Sequence, residues 1–264
     1  MKHLLLIATL VILAGCATNG QVPKSLRTPA KLQPNPMVEE LNELKPLNGP
    51  VMTVGLYSFT DKTGQRKPAE NVSNLSSAVT QGAEVWVIDA LLQAGNGTWF
   101  EVVERIGMDH VIKERQLIRN TRENYEKDSA TPLQPMKFAG ILIEGGIVGY
   151  DSNVQTGGNG ARLLGVGSAA EYRIDTVTVA MRLVSVSTGR VLVSVAAEKT
   201  IASYRQGSDV FRFLDLSTQA VEVETGYSVN EPTNYAVREA IEAAVIELIY
   251  QGANQDLWKF KEEE

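Results

Sequence analysis

Thiol and imidazole are almost missing from this chain, which has one cysteine, Cys16, and two histidines, His3 and His110. A single cysteine permits no intrachain disulfide, no Cys-based zinc site and no Cys-x-x-Cys redox pair. His3 lies in the leader described below, so Ser-His or Cys-His catalysis would rest on His110 alone. His110 falls in the helical stretch Met108 to Tyr125, where a surface or capping role accounts for it. Acidic residues outnumber basic ones, 31 to 25: the formal net charge is -6, and nothing suggests the basic face of a nucleic-acid partner. There is no phosphate loop, because Gly64-Gln65-Arg66-Lys67 lacks the first glycine and the Lys-Ser/Thr ending. The glycines from Gly157 to Gly167 do not fit Gly-x-Gly-x-x-Gly, and they sit in alternating, strand-like sequence. No cofactor and no metal are expected. The apolar run from Leu4 to Ala14 is shorter than the ~20 residues of a spanning helix.

That run has a different meaning. Lys2 and His3 precede it, and it ends in Leu13-Ala14-Gly15-Cys16, the form of a bacterial lipoprotein signal cleaved before the cysteine. Residues 1–15 are therefore read as a signal peptide and Cys16 as the site of lipid attachment. Ala17 stands where an aspartate would retain a lipoprotein in the inner membrane, so the expected location is the outer membrane, periplasmic side. The competing reading is an ordinary secretory leader with a chance cysteine at its end.

Three zones follow. Residues 16–49 are polar and proline-rich, with Pro23, Pro29, Pro34, Pro36 and Pro46, and read as an extended tether in which only Met37 to Leu44 forms a short helix. Residues 50–148 alternate strand and helix. Val51 to Tyr57 reads as a strand, Ser77 to Gln93 as a helix with Ala78, Val85, Ile88, Leu91 and Leu92 near one face, and Trp99 to Val103 as a strand. Met108 to Tyr125 follows as a helix, and Phe138 begins a third strand. A last helix, Asn234 to Gln251 within 228–264, puts Val237, Ile241, Val245 and Ile249 on a buried stripe and packs back on this α/β body.

The third zone, Gly146 to Glu231, has almost no helical periodicity. Two excursions, 149–182 and 191–227, are each long enough for a pair of strands of about ten residues, the length that crosses an outer membrane; 183–190 connects them. Val177, Val179, Met181 and Leu183 alternate with polar residues, as do Val193, Val195 and Ala197, and Val221 and Val223. Tyr204, Phe211 and Phe213 cluster near Arg212 and Asp215 in the manner of an interfacial girdle. A soluble sandwich produces the same alternation, and periodicity by itself favours it. If the hairpins enter lipid, their edges cannot stay unpaired, and four strands are too few to close a barrel, so several copies would have to contribute to one.

The chain resembles the CsgG-type curli production and secretion lipoproteins over nearly its full mature length. The resemblance is carried by Ile143-Glu144-Gly145-Gly146-Ile147-Val148-Gly149-Tyr150-Asp151-Ser152-Asn153-Val154, Gly157-Gly158 and Gly160-Ala161-Arg162. It continues in Ser187-Thr188-Gly189, Lys199-Thr200-Ile201, Ser203-Tyr204, Val210-Phe211-Arg212-Phe213 and Gly226-Tyr227 with Asn230-Glu231-Pro232. Upstream, Thr63-Gly64-Gln65, Lys67-Pro68, Glu104-Arg105 and Glu114-Arg115 also fit.

The resemblance implies an α+β periplasmic domain with two β-hairpins that contribute four strands per copy to the barrel of a nonameric ring. It implies export of unfolded curli subunits without nucleotide hydrolysis, aided by a periplasmic gating partner and a surface nucleation partner. The family's narrow ring comes from a loop after the first strand that carries an aromatic, an asparagine and a second aromatic. Here the asparagine matches Asn74 and the second aromatic falls at Leu75. The first has no counterpart between Pro68 and Ser73, where Glu70 or Asn71 takes its place. Asn74 and Leu75 also read as a cap and staple ahead of a helix starting near Ser76. Two other classes remain: a periplasmic lipoprotein adaptor without a pore, and an enzyme using paired acids such as Glu101 with Glu104 or Glu222 with Glu224, for which surface or pore-facing solvation is the better account.

Overall fold

The computed structural model describes residues 29, 32, 35–66, 77–126, 131–157, 170–205, 211–215 and 232–262. Its folded body spans Pro34–Glu264. Along the chain come α1 (Val38–Glu43), β1 (Met52–Asp61), α2 (Glu84–Gly97), β2 (Phe100–Val103) and α3 (Met108–Tyr125). They are followed by β3 (Ile141–Gly157), β4 (Ala170–Ser185), β5 (Val191–Arg205), β6 (Phe211–Asp215) and α4 (Pro232–Asn254).

The strands form one six-stranded sheet in the order β2-β1-β3-β4-β5-β6. β1 runs parallel to β2 and β3, and every pair from β3 to β6 is antiparallel. The alternation read in the sequence decides which side is covered. Val177, Val179, Met181 and Leu183 of β4 and Val193, Val195 and Ile201 of β5 are buried, whereas Arg182 and Ser194 are exposed. α4 lies over β4 and β5 and also touches α2. Its expected stripe of Val237, Ile241, Val245 and Ile249 is buried. Ala236, Ala240 and Ala244 are buried beside the stripe, small side chains that let the helix sit close to the sheet. Each fully buried Val or Ile contributes about 1.5–3 kcal/mol.

Several local expectations are corrected. The second helix starts at Glu84, not Ser77, because the preceding residues are held in other bonds: Ser77 bridges to Arg66 and the Ala78 N–H donates to the Gln65 carbonyl. Asn74 and Leu75, read as a cap and staple ahead of that helix, lie outside the described residues. The buried face of α2 is also rotated, carrying Val87, Ala90 and Leu91, while Val85 and Leu92 are half exposed. β3 and β4 run through 148/149 and 182/183, pairing from Ile141↔Ser185 to Gly157↔Ala170 with one register shift, between Ile147 and Gly149. β4 ends at Ser185 in a turn closed by the Gly189 N–H donating to the Ser185 carbonyl at 2.8 Å.

Residues 35–49, expected as the end of the tether, belong to the body. Leu41 and Leu44 are buried in the main core. The Met37 N–H donates to Glu242 Oε2 at 2.7 Å, and Arg238 holds both Asn35 Oδ1 and Glu242 Oε1. Further on, Leu47 bridges to Phe260, and the Trp99 indole N–H donates to the Lys45 carbonyl at 2.9 Å. The low hydropathy and the prolines concealed these few anchors. Trp99 in turn meets Trp258 and Phe260 edge-on, with centroids 6.0 and 5.6 Å away. The Trp258 ring occupies the volume where a side chain at Gly252 would begin.

Two outcomes follow from this packing. Gly252→Ala will displace the Trp258 ring and destabilise the fold by about 1–3 kcal/mol, read by thermal unfolding with tryptophan fluorescence; an unshifted midpoint would contradict the close fit. Burial pushes the Glu242 carboxyl above its ordinary value, against the opposing pull of the Met37 N–H and Arg238. The folded chain therefore holds this proton to higher pH than the unfolded chain. Stability from this group falls as pH rises from the ordinary glutamate value through the raised folded value. Glu242→Gln should remove that slope, up to about 1.4 kcal/mol per pH unit, measured as the wild-type minus variant difference in denaturant unfolding across pH 4 to 8, a range of roughly four units around the carboxyl value.

Candidate functional site

Beyond Ile147 the sheet changes character. β1 stops at Asp61, opposite Ile147, while β3 continues to Gly157 with β4, β5 and β6 beside it. Four antiparallel strands thus extend past the body. Among the described residues the β3 side of this extension and the outer side of β6 have no strand partner. At ~3.4 Å per residue, the stretch from Gly149 to Gly157 reaches roughly 27 Å.

Glycine makes this departure possible. A side-chain carbon at Gly145 would overlap the Ala180 carbonyl and come 2.7 Å from the Phe59 ring, and one at Gly146 would stand 2.5 Å from the Thr60 carbonyl. The Glu144-Gly145-Gly146 run therefore lets β1 lie against β3 up to the point where β1 ends. A register shift between Ile147 and Gly149 follows, and it returns Tyr150 to the buried side. There Tyr150 OH donates to Asp175 Oδ1 at 3.2 Å, and Lys199 of β5 pairs with Glu239 of α4 at 2.7 Å. Asp175 is 2% exposed and Lys199 5%. Polar side chains thus couple the base of the extension to the helix behind it.

At the same level the chain turns from β1 into the connection to α2. The Lys62 N–H donates to the Ile147 carbonyl at 2.9 Å, which fixes this turn to β3. Asp61 Oδ1 accepts from the Thr63 N–H at 2.8 Å and from Thr63 Oγ1 at 2.6 Å; Asp61 Oδ2 accepts from Gln81 Nε2 at 3.1 Å. The Arg66↔Ser77 bridge and the 2.9 Å bond from the Ala78 N–H to the Gln65 carbonyl bring the two ends of the segment 67–76 together. Glu70, Asn71, Asn74 and Leu75 lie in that segment, outside the described residues. Sequence reasoning found the segment but missed its stem: Asp61-Lys62-Thr63-Gly64 has turn chemistry, and nothing singles out Gln81.

The other candidate residues separate. Cys16, Glu222 and Glu224 lie outside the described residues. Tyr204 is opposite Arg212, and Phe211 and Phe213 are opposite Arg205 and Ser203. His110 is exposed in the first turn of α3. Glu104 accepts from the Gly107 N–H at 2.6 Å at the start of α3, and Glu101 pairs with Lys137, so both acids have structural partners. Among the described residues no cluster of metal-ligating side chains occurs, and no helix is long and apolar enough to cross a membrane.

Comparison with known proteins meets this geometry. The model of the family described as curli production assembly/transport component CsgG matches residues 38–264. The chain is 38% identical over 260 residues to the protein of that name from Salmonella typhimurium strain LT2, covering 98% of this chain and 91% of the relative. The protein of that name from Escherichia coli strain K12 gives the same identity and coverage. Among solved structures, a PelC dodecamer from Paraburkholderia phytofirmans is similar at 15% identity over 77% of this chain and 92% of that one, with a TM-score of 0.30, too low to bear on the fold. The chain belongs to the CsgG family of curli production assembly/transport components.

Proposed function

We propose that this chain is an outer-membrane lipoprotein, anchored through Cys16, whose copies close into a nonameric ring and export unfolded curli subunits by diffusion through a central constriction. The reading rests above all on the four-strand extension, whose two edges have no strand partner among the described residues. In lipid an unpaired edge costs several kcal/mol per backbone group. One copy has too few strands to close on itself. Head-to-tail pairing, with β6 of one copy beside the free side of β3 in the next, satisfies both edges and closes by rotation.

The narrow point in this reading is the segment 67–76, whose stem stands level with the start of the extension, between body and barrel. Leu75 and Asn74, with Asn71 and Glu70, line it. A narrow ring of mixed polarity admits an extended chain and excludes a folded one. With no nucleotide consumed, direction comes from confinement on the periplasmic side and fibre growth outside. A periplasmic gating protein and a surface nucleation protein act at its two ends. In the competing reading, as an adaptor without a pore, the extension's free edges have no stated use.

The test is conductance of the detergent-extracted oligomer in a planar bilayer, native chain against Leu75→Trp. Discrete steps that shrink in the variant are expected. Unchanged steps would move the constriction elsewhere, and no steps from a membrane-inserted oligomer would leave the adaptor. Separately, Cys16→Ser should shift the protein from the outer-membrane fraction to the soluble periplasm; retention in the membrane at the native level would overturn the lipid anchor.

A further inference from the structure

α3 runs for 18 residues and buries none of them, although helices in proteins draw most of their stability from a packed face. Beside it the stretch 131–136 runs back the other way. The Arg115 side chain donates to the Gln134 carbonyl at 2.6 Å, and one turn pair further along Arg122 donates to the Thr131 carbonyl. These bonds hold the stretch alongside the helix and leave a groove of about 530 Å³ between the two, within the range of about 300–1,000 Å³ common to ligand sites. Ile112, Leu133 and Met136 line it with apolar surface, and Arg115, Arg119 and Arg122 line it with charge.

That charge is not spent within the chain. A carbonyl takes one donor each from Arg115 and Arg122 without neutralising either, and a guanidinium has further N–H donors to offer. Among the described residues neither arginine meets a carboxylate. Arg119 comes only within 3.8 Å of Glu123, with both side chains exposed, and such a pair is weak. Three arginines thus face one glutamate in the groove of a chain whose net charge is -6. At ~1.5 Å per residue, Arg119 and Arg122 lie roughly 6 and 10 Å along the helix from Arg115. Alternate residues of an extended chain are ~7 Å apart, close to the first of those steps, and the residues between them point to the opposite side. We infer that the groove between α3 and 131–136 docks an extended acidic polypeptide segment of a partner protein, its carboxylates on the arginines of α3 and the aliphatic side chains that alternate with them against Leu133 and Met136. This site does not rest on the pore reading.

The probe is a fluorescein-labelled peptide of alternating glutamate and leucine, titrated with the full-length protein in detergent and read by anisotropy against detergent alone. Saturable binding is expected, about tenfold tighter than for the same peptide with glutamine in place of glutamate, or with serine in place of leucine. Arg119→Glu puts repulsion where an attractive pair stood and should weaken binding about tenfold, and Arg119→Gln about threefold. Arg119 is exposed, so both variants should keep the native unfolding midpoint; if the reversed charge prevents folding, the neutral variant must still show its loss. No saturable binding, equal binding of the glutamine or serine peptides, or native affinity in the Arg119 variants would overturn the site. Sedimentation decides the other occupant: if Arg119→Glu dissociates the native oligomer, a neighbouring copy fills the groove, and the proposal for a separate partner fails.

Discussion

The structure depends on the continuity of one strand. β3 is 17 residues long and paired with β4 throughout, but β1 accompanies it only as far as Ile147. Buried backbone groups must be hydrogen-bonded, so the point where β1 stops divides two regimes: below it β3 is an interior strand of a covered sheet, above it an edge. The register shift between Ile147 and Gly149 lies at that division. Such an irregularity re-aims the strand and exchanges its two faces. Ile143 and Ile147 are buried below it and Tyr150 above it, so the shift keeps large side chains under the helices as the strand changes course.

Helical cover supplies most of the energy, and buried ions set where that cover sits. α4 contributes a continuous apolar stripe, which fits several positions along a sheet about equally well. Arg238 does not: it holds Asn35, Glu242 and, at 3.6 Å, Asp89 of α2, so the start of the body and two helices meet at one guanidinium. Lys199 with Glu239 repeats the device on the sheet side. Ion pairs of this kind return little net stability once desolvation is counted. Their use here is to choose one placement of α4 and to attach the end of the tether to it.

Much of this was legible in the sequence where one period ruled. Val177 to Leu183 and Val193 to Ala197 alternate because one face meets α4 and the other does not, and the stripe from Val237 to Ile249 is its counterpart. Periodicity failed where a few long-range bonds override local preference. Ser77 to Ala83 reads as the first turns of the helix, yet the bridge to Arg66 and the Gln65 carbonyl hold its start outside it. Asn35 to Gly49 has the composition of a linker, yet Leu41 and Leu44 reach the core. The candidate loop was found by resemblance, while its stem emerged only when Asp61 and Gln81 were brought together.

A single reference strand has a consequence for a ring built from these parts. The free side of β3 that would receive a neighbour and the stem that would aim the constricting segment both begin at Ile147, one through the strand's own continuation and the other through the Lys62 hydrogen bond. Copies pairing edge to edge, as proposed, would fix the relative positions of their stems as they fix their strands. A shift of β1 against β3 would change stem height in every copy of such a ring; at Gly145 the Phe59 ring and at Gly146 the Thr60 carbonyl, both of β1, lie where a side-chain carbon would stand. In the proposed ring, assembly and aperture would be one geometric problem, set by where β1 rests against Gly145 and Gly146.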